Sequence, residues 1–205
     1  REVDDEHRVY AVADGMGGHA AGEVASRIAV TEVRKCASAI VASFDVPVAL
    51  GVVLGRAHRR ILSDMHRHPE RAEMGTTLTA CIFDDGALHV AHAGDSALYL
   101  VAGGRVERVT ENQGSHHRLS NCLGCRDVAF SRAQVLSRQL APGDTVVLAT
   151  DGLTDYLAEA TCDADFLARV AATAPFDDLA DALVRFALAR GGEDNVTVVA
   201  LRVLA

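Results

Sequence analysis

No apolar run in this chain approaches the ~20 residues that a membrane span requires, so no transmembrane segment is expected. The opening Arg-Glu-Val-Asp-Asp-Glu-His-Arg has neither the apolar stretch nor the small-residue cleavage site of a secretory signal, and a cytoplasmic location is expected. Basic residues are in short supply. Lys and Arg number 20 against 28 Asp and Glu, a formal charge of -8. Affinity for a phosphate backbone is dominated by Lys and Arg, so no nucleic-acid partner is expected. If a phosphate group is the substrate, something other than net charge must attract it. The five cysteines are odd in number and thinly spread. That excludes a disulfide framework and predicts reduced thiols. The Gly17-Gly18 pair is not followed by GxGxxG or P-loop spacing, which disfavours a nucleotide site and leaves those glycines to free the backbone. Repeats, linkers and low-complexity segments are also missing.

What is present is a globular composition, 49% hydrophobic and 23% charged, in 205 residues. That is about one domain's worth of chain, and residues 1–205 are read as a single domain, expected to be a monomer. Val9 to Ala13 is an apolar run that stops at Asp14-Gly15, the mark of a buried strand ending in a turn. From Gly22 to Phe44 the residues Val24, Ile28, Val33, Ala37, Ile40 and Val41 recur at helical spacing. A second helix is predicted from about Pro47 to Met65, with Leu50, Val53, Leu54, Ala57, Ile61 and Leu62 inward. The period then changes to two over Thr76 to Phe83, Ala87 to Ala93, Ala97 to Ala102 and Val106 to Val109. Asp84-Asp85-Gly86 and Gly103-Gly104 mark hairpin turns, and the run reads as one antiparallel meander. Strands are predicted again over Ala129 to Leu140 and Thr145 to Thr150, helices over Asp163 to Ala172 and Phe176 to Arg190, and a closing strand over Val196 to Leu204. Helices grouped apart from many antiparallel strands predict an α+β fold of two sheets with helix pairs outside.

The carboxylates fall at strand ends. Asp14, Asp95 and Asp151 each follow a predicted strand, and Asp194 precedes the last one. Each has a small neighbour: Asp14-Gly15, Gly94-Asp95-Ser96, Asp151-Gly152 and Asp194-Asn195. A single Asp-Gly after a strand is only a turn, but four such acids form a pattern. Carboxylates that converge repel one another unless cations neutralise them, which is the logic of a hard-cation site for Mg or Mn. Two such ions activate water and clamp phosphoryl oxygens.

The stretch Val12-Ala-Asp-Gly-Met-Gly-Gly-His-Ala-Ala-Gly-Glu23 resembles the signature of the bacterial PPM, or type 2C, protein phosphatases. Gly75-Thr-Thr-Leu-Thr-Ala80, Ala91-His-Ala-Gly-Asp-Ser96, Ala149-Thr-Asp-Gly-Leu-Thr-Asp155 and Asp194-Asn-Val-Thr-Val198 resemble four further motifs of that family, in its order. The resemblance covers nearly the whole chain. It implies a four-layer αββα sandwich and hydrolysis of phosphoserine and phosphothreonine in proteins by a metal-activated water, without a covalent phosphoenzyme. It also implies two core Mn or Mg ions: Asp14 bridges them, the Gly15 carbonyl binds one, and Asp151 and Asp194 hold the other. Asp95 matches an acid of a third, weaker metal position. Phosphorylated proteins, among them a serine/threonine kinase or its substrates, are the partners it implies.

Protonation of the leaving serine or threonine oxygen calls for an acid of near-neutral pKa, and His19 is the nearest candidate. Animal relatives carry a His directly after the Asp-Gly pair, where Met16 stands here. His92 reads as a structural residue, His116-His117 as a solvated loop and Glu23 as a structural acid near a helix start. Two features depart from the family pattern. Only thirteen residues precede Asp14, so the family's phosphate-binding Arg is not assigned; Asp4, Asp5 and Glu6 read as the turn before the Val9 strand. Between Thr110 and Leu123 the family carries a longer flap, whereas Glu111 to Arg118 supply eight residues. Cys122-Leu-Gly-Cys125 is a lone CxxC near a turn, with no partner pair for zinc. Two alternatives keep the fold: a pseudophosphatase that docks a kinase or its phosphorylated target, and a phosphatase of small phosphoesters.

Overall fold

The computed structural model describes residues 1–17, 19–115, 118–125, 130, 133–158 and 163–204. The side chains of His19, Ala20, Ser115, Arg118, Ala158 and residues 163–165 also lie outside the description. The chain divides into two compact units, one of residues 1–96 and 112–139, the other of residues 97–111 and 140–205.

In the first unit a five-stranded antiparallel sheet runs in the order Glu2–Asp4, Val9–Val12, Leu78–Asp84, Ala87–Ala93, Gln134–Gln139. Two helices pack on it, α1 (His19–Val41) and α2 (Val46–Arg67). Helix α2 starts where it does because Asp45 accepts a hydrogen bond from the Val48 N–H at 3.1 Å and Pro47 occupies the first turn, where a missing N–H costs nothing. Its buried stripe, Leu50, Val53, Leu54, Ala57, Ile61 and Met65, follows the predicted spacing. Leu62, expected inward, is instead 40% exposed, because Ile61 and Met65 already occupy the sheet-facing side. On α1 the fully buried positions are Ala25, Ala29, Val33, Ala37 and Ile40, while Val24 and Ile28 pack at the margin and Val41 and Phe44 face solvent. Small residues at 25 and 29 let this helix approach the sheet closely.

In the second unit a four-stranded antiparallel sheet has the order Val198–Arg202, Thr145–Ala149, Ala97–Ala102, Arg105–Arg108. Helices α3 (Asp151–Ala158), α4 (Asp163–Thr173) and α5 (Leu179–Ala189) accompany it. Leu153, Leu167, Leu179, Leu183 and Ala187 share a core with Tyr99, Val101, Val147 and Ala149. Every residue of Thr145–Ala149 is buried, as befits a strand paired on both edges.

Several expectations are corrected. The two hairpins form as predicted, with positive φ at Asp85-Gly86 and Gly103-Gly104 matching the two-residue turn that twisted strands favour. They do not form one meander, however: the chain leaves one sheet after Ala93 and enters another at Ala97. Asp151-Gly152 opens α3 rather than a turn, and the last strand is shorter than Val196 to Leu204. Asp4 belongs to the first strand, leaving residues 5–8 as the turn. The strand expected over Ala129 to Leu140 spans Gln134–Gln139; Ala129, Ser131 and Arg132 lie outside the described residues, as do His116 and His117. Reduced thiols hold for Cys36 and Cys81, both buried, but Cys122 and Cys125 are joined in a disulfide. Cys162 lies outside the description. None of the described helices is long and apolar enough to cross a membrane.

Candidate metal centre

Asp14 leaves the end of Val9–Val12, a strand with every residue buried, and is itself half-buried. Its main chain is held from both directions. The Asp14 N–H donates to Thr77 Oγ1 at 2.9 Å, and its carbonyl accepts from the Thr77 N–H at 2.9 Å and from Thr76 Oγ1 at 2.7 Å. Gly15–Met16 then pairs with Gly75–Thr76. Glycine is required at 15 and 22 because the backbone of α1 lies directly on the Asp-Gly turn: a Cβ on Gly22 would stand 2.6 Å from the Gly15 carbonyl carbon and 2.9 Å from the Met16 nitrogen. His19 opens α1, and its side chain lies outside the described residues. Glu23 is exposed and falls in the second turn of the helix, not the first.

Asp95 occupies the turn where the chain changes sheet. Gly94 there has φ of +119°, and Gly94 and Gln113 exchange two hydrogen bonds, at 2.9 and 3.0 Å. The Asp95 carboxylate lies against Gly114. His92, fully buried, has Nδ1 2.8 Å from Thr79 Oγ1 and Nε2 3.0 Å from the Gly94 carbonyl. With both ring nitrogens engaged it is the structural residue expected from its place on a strand.

In the second unit Asp151 is the first residue of α3, where the helix N-terminus favours an anion. Its Oδ1 accepts the Gly152 N–H at 2.8 Å, and Asp194 Oδ1 accepts the Asn195 N–H at 2.6 Å. Thr150 ties the start of α3 to the segment that carries Asp194. Its N–H donates to the Thr197 carbonyl, and its hydroxyl accepts from the Thr197 N–H at 3.1 Å and donates to the Asn195 carbonyl at 3.3 Å. Tyr156 on α3 accepts the Glu193 N–H at 3.1 Å. As a result, one carboxylate oxygen of Asp151 lies within 4.8 Å of one of Asp194. No Lys, Arg or His among the described residues makes an ion pair with either acid. Two carboxylates held so close without a protein cation suit a hard divalent ion, which takes oxygen donors only.

Reasoning from the sequence found these acids and missed the hydroxyls that hold them, Thr76, Thr77, Thr150 and Tyr156. The threonines were visible inside the Gly75-Thr-Thr and Ala149-Thr-Asp motifs. Their partners, 45 to 63 residues away, were not.

The sequence matches the protein phosphatase 2C family over residues 2–187. It is 31% identical over 215 aligned residues to the serine/threonine protein phosphatase PstP of Mycobacterium tuberculosis, with 94% of this chain aligned. The chain spans 40% of that protein's length. To the serine/threonine phosphatase Stp of Listeria innocua it is 28% identical, covering 96% of this chain and 85% of that one. The crystal structure of the PstP catalytic domain in complex with two manganese ions superposes with a TM-score of 0.85 at 29% identity, covering 97% of this chain and 88% of that chain. PppA of Pseudomonas aeruginosa gives a TM-score of 0.81 at 27% identity, covering 98% and 88%. The fold shared with these structures is the α+β, four-layer αββα sandwich expected above.

Proposed function

The chain belongs to the protein phosphatase 2C family, and from that premise we propose that it is a metal-dependent hydrolase that removes phosphate from phosphoserine and phosphothreonine in proteins. The observation that carries the reading is the pair Asp151 and Asp194, held within 4.8 Å by the Thr150 and Tyr156 hydrogen bonds, with no ion pair to a Lys, Arg or His among the described residues. In this reading Asp14 joins them, the carbonyl of Gly15 supplies a further oxygen, and two Mn or Mg ions occupy the site; the two manganese ions of the PstP catalytic domain support that number. Asp95 is assigned to a third, weaker ion. Bound there, such ions would supply a water of lowered pKa for attack on phosphorus and neutralise charge on the phosphoryl oxygens.

The chain's own groups then have two tasks. The carboxylates, all hard oxygen donors, hold and orient the cations, and their supporting threonines keep them from moving apart. His19 is assigned the proton that the leaving serine or threonine oxygen takes up. Both units act together as one catalytic domain, a reading supported by a family match that spans most of each. A cytoplasmic monomer acting on phosphorylated proteins, among them a serine/threonine kinase or its substrates, completes the proposal.

The test is hydrolysis of a phosphothreonine peptide and of p-nitrophenyl phosphate by the full chain, with Mn and then with chelator. The proposal expects Mn-dependent turnover of both. Turnover of the small ester alone would make the chain a small-phosphoester phosphatase, and no turnover would make it a docking module.

A further inference from the structure

Thr77 stands where two acid-bearing turns of the first unit meet, and its side chain uses both of its arms. The residue is 1% exposed. Its hydroxyl accepts the Asp14 N–H at 2.9 Å and lies 2.9 Å from the hydroxyl of Ser96, which is fully buried and adjoins Asp95. A hydroxyl that accepts from an N–H still has its own proton and a second lone pair, so it can serve the Ser96 contact as donor or acceptor without giving up the Asp14 contact. The methyl arm faces the same turn from below: a Cβ added to Gly94 would fall 2.6 Å from Thr77 Cγ2. The Thr77 N–H closes the ring by donating to the Asp14 carbonyl. One side chain therefore sets the main chain at Asp14 through its oxygen and the Gly94-Asp95-Ser96 turn through oxygen and methyl together. Neither serine nor valine reproduces both contacts.

We propose that Thr77 is a positioning residue for metal binding, fixing the main chain of Asp14 relative to the Asp95 turn. This rests on the phosphatase reading above. Removing the hydroxyl takes away the acceptor that the Asp14 N–H uses at 2.9 Å, and the carboxylate that Asp14 carries loses its register. Losing a partner in the outer shell of a metal site costs about 10–100-fold in affinity. The methyl arm bears on Gly94, the residue before Asp95, so its loss falls on the weaker position.

The experiment titrates Mn into the full chain by calorimetry and, in parallel, measures Mn activation of phosphothreonine-peptide hydrolysis, for wild type, Thr77→Val and Thr77→Ser. Thr77→Val is expected to raise the Mn dissociation constant ~10-fold or more, with the peptide KM at saturating Mn close to that of wild type. Thr77→Ser is expected to restore the tight Mn sites. A Thr77→Val chain that binds Mn as wild type does, while wild type hydrolyses the peptide, overturns the inference and leaves the phosphatase reading standing. A wild type that binds no Mn overturns both. If Thr77→Val does not fold, Ser96→Ala carries the test: weakened Mn binding is expected from the loss of the shared hydroxyl contact, and unchanged binding overturns the proposal.

Discussion

Substituting alanine for Gly22 sets two effects against each other whose sizes differ enough to decide the outcome. In the interior of an unobstructed helix the change gains up to ~1 kcal/mol from propensity alone. At position 22 the new Cβ meets backbone instead of solvent, 2.6 Å from the Gly15 carbonyl carbon and 2.9 Å from the Met16 nitrogen. Ordinary carbon contacts lie near ~3.5 Å, so the Asp14-Gly15 turn must retreat by a sizeable fraction of an ångström. Overpacking of this kind costs about 1–3 kcal/mol, enough to reverse the sign. The larger consequence falls on metal binding, since ligand positions tolerate only about ±0.2 Å and the Gly15 carbonyl is one of the proposed ligands. Gly22→Ala should therefore melt a few degrees lower in chelator and need ~10-fold more Mn for half-maximal activity. Gly55→Ala on α2 is the control. A Cβ there meets only the flexible guanidinium of Arg59, at 3.6 Å, and the variant should gain stability and keep its Mn response. If Gly22→Ala melts higher than wild type and activates at the wild-type Mn concentration, the close approach of α1 to the Asp-Gly turn is not what holds the site.

Three further outcomes follow from the same geometry. Asp194→Asn removes one of two carboxylates within 4.8 Å of each other; in chelator it should melt no lower than wild type, yet lose the Mn-induced stabilisation, which reaches ~2.7 kcal/mol at a hundredfold excess over the dissociation constant, as differential scanning fluorimetry would show. Ile61→Ala should cost about 2–5 kcal/mol by urea denaturation and Leu62→Ala less than about 0.5, because Ile61 is fully buried and Leu62 is not. Burial, with Arg59 contributing, lowers the pKa of His58 from 6.5, and its Nδ1 accepts the Gly124 N–H at 3.1 Å. The unfolded chain therefore takes up that proton first, so this contribution is complete above about pH 6.5 and is lost as pH falls below it; melting curves should fall over that range in wild type and less steeply in His58→Asn.

The four strand-end acids were legible because Asp followed by a small residue interrupts an apolar run, a signal contained in two or three adjacent positions. What escaped depends on distance or on length. Helix α3 is eight residues long and begins on the very Asp-Gly pair that reads as a turn, so it offers too few periods to register. The change of sheet between Ala93 and Ala97 leaves no local trace: strands on both sides keep the same period of two, and only the pairing of Ala97–Ala102 with Thr145–Ala149 reveals it. Only the N-terminal half of the stripe on α1 was displaced, because alanine counts weakly as an apolar residue: Ala25 and Ala29 are fully buried there in place of Val24 and Ile28, whereas Val33, Ala37 and Ile40 are buried as predicted. Leu62 and Val41 show the converse: large apolar residues at helical spacing on the margin of the buried face. The Cys122–Cys125 disulfide ran against a rule built on compartment and count, which says nothing of a loop that brings two sulfurs together.

Crystals of the full chain grown with Mn and measured at the manganese absorption edge put the central claim to its most direct test. The account predicts two strong anomalous peaks beside the carboxylates of Asp14, Asp151 and Asp194, with the peak next to Asp151 and Asp194 gone in Asp151→Asn crystals. A wild-type map with no anomalous density beside those three side chains, at Mn concentrations that saturate phosphopeptide hydrolysis, would contradict it.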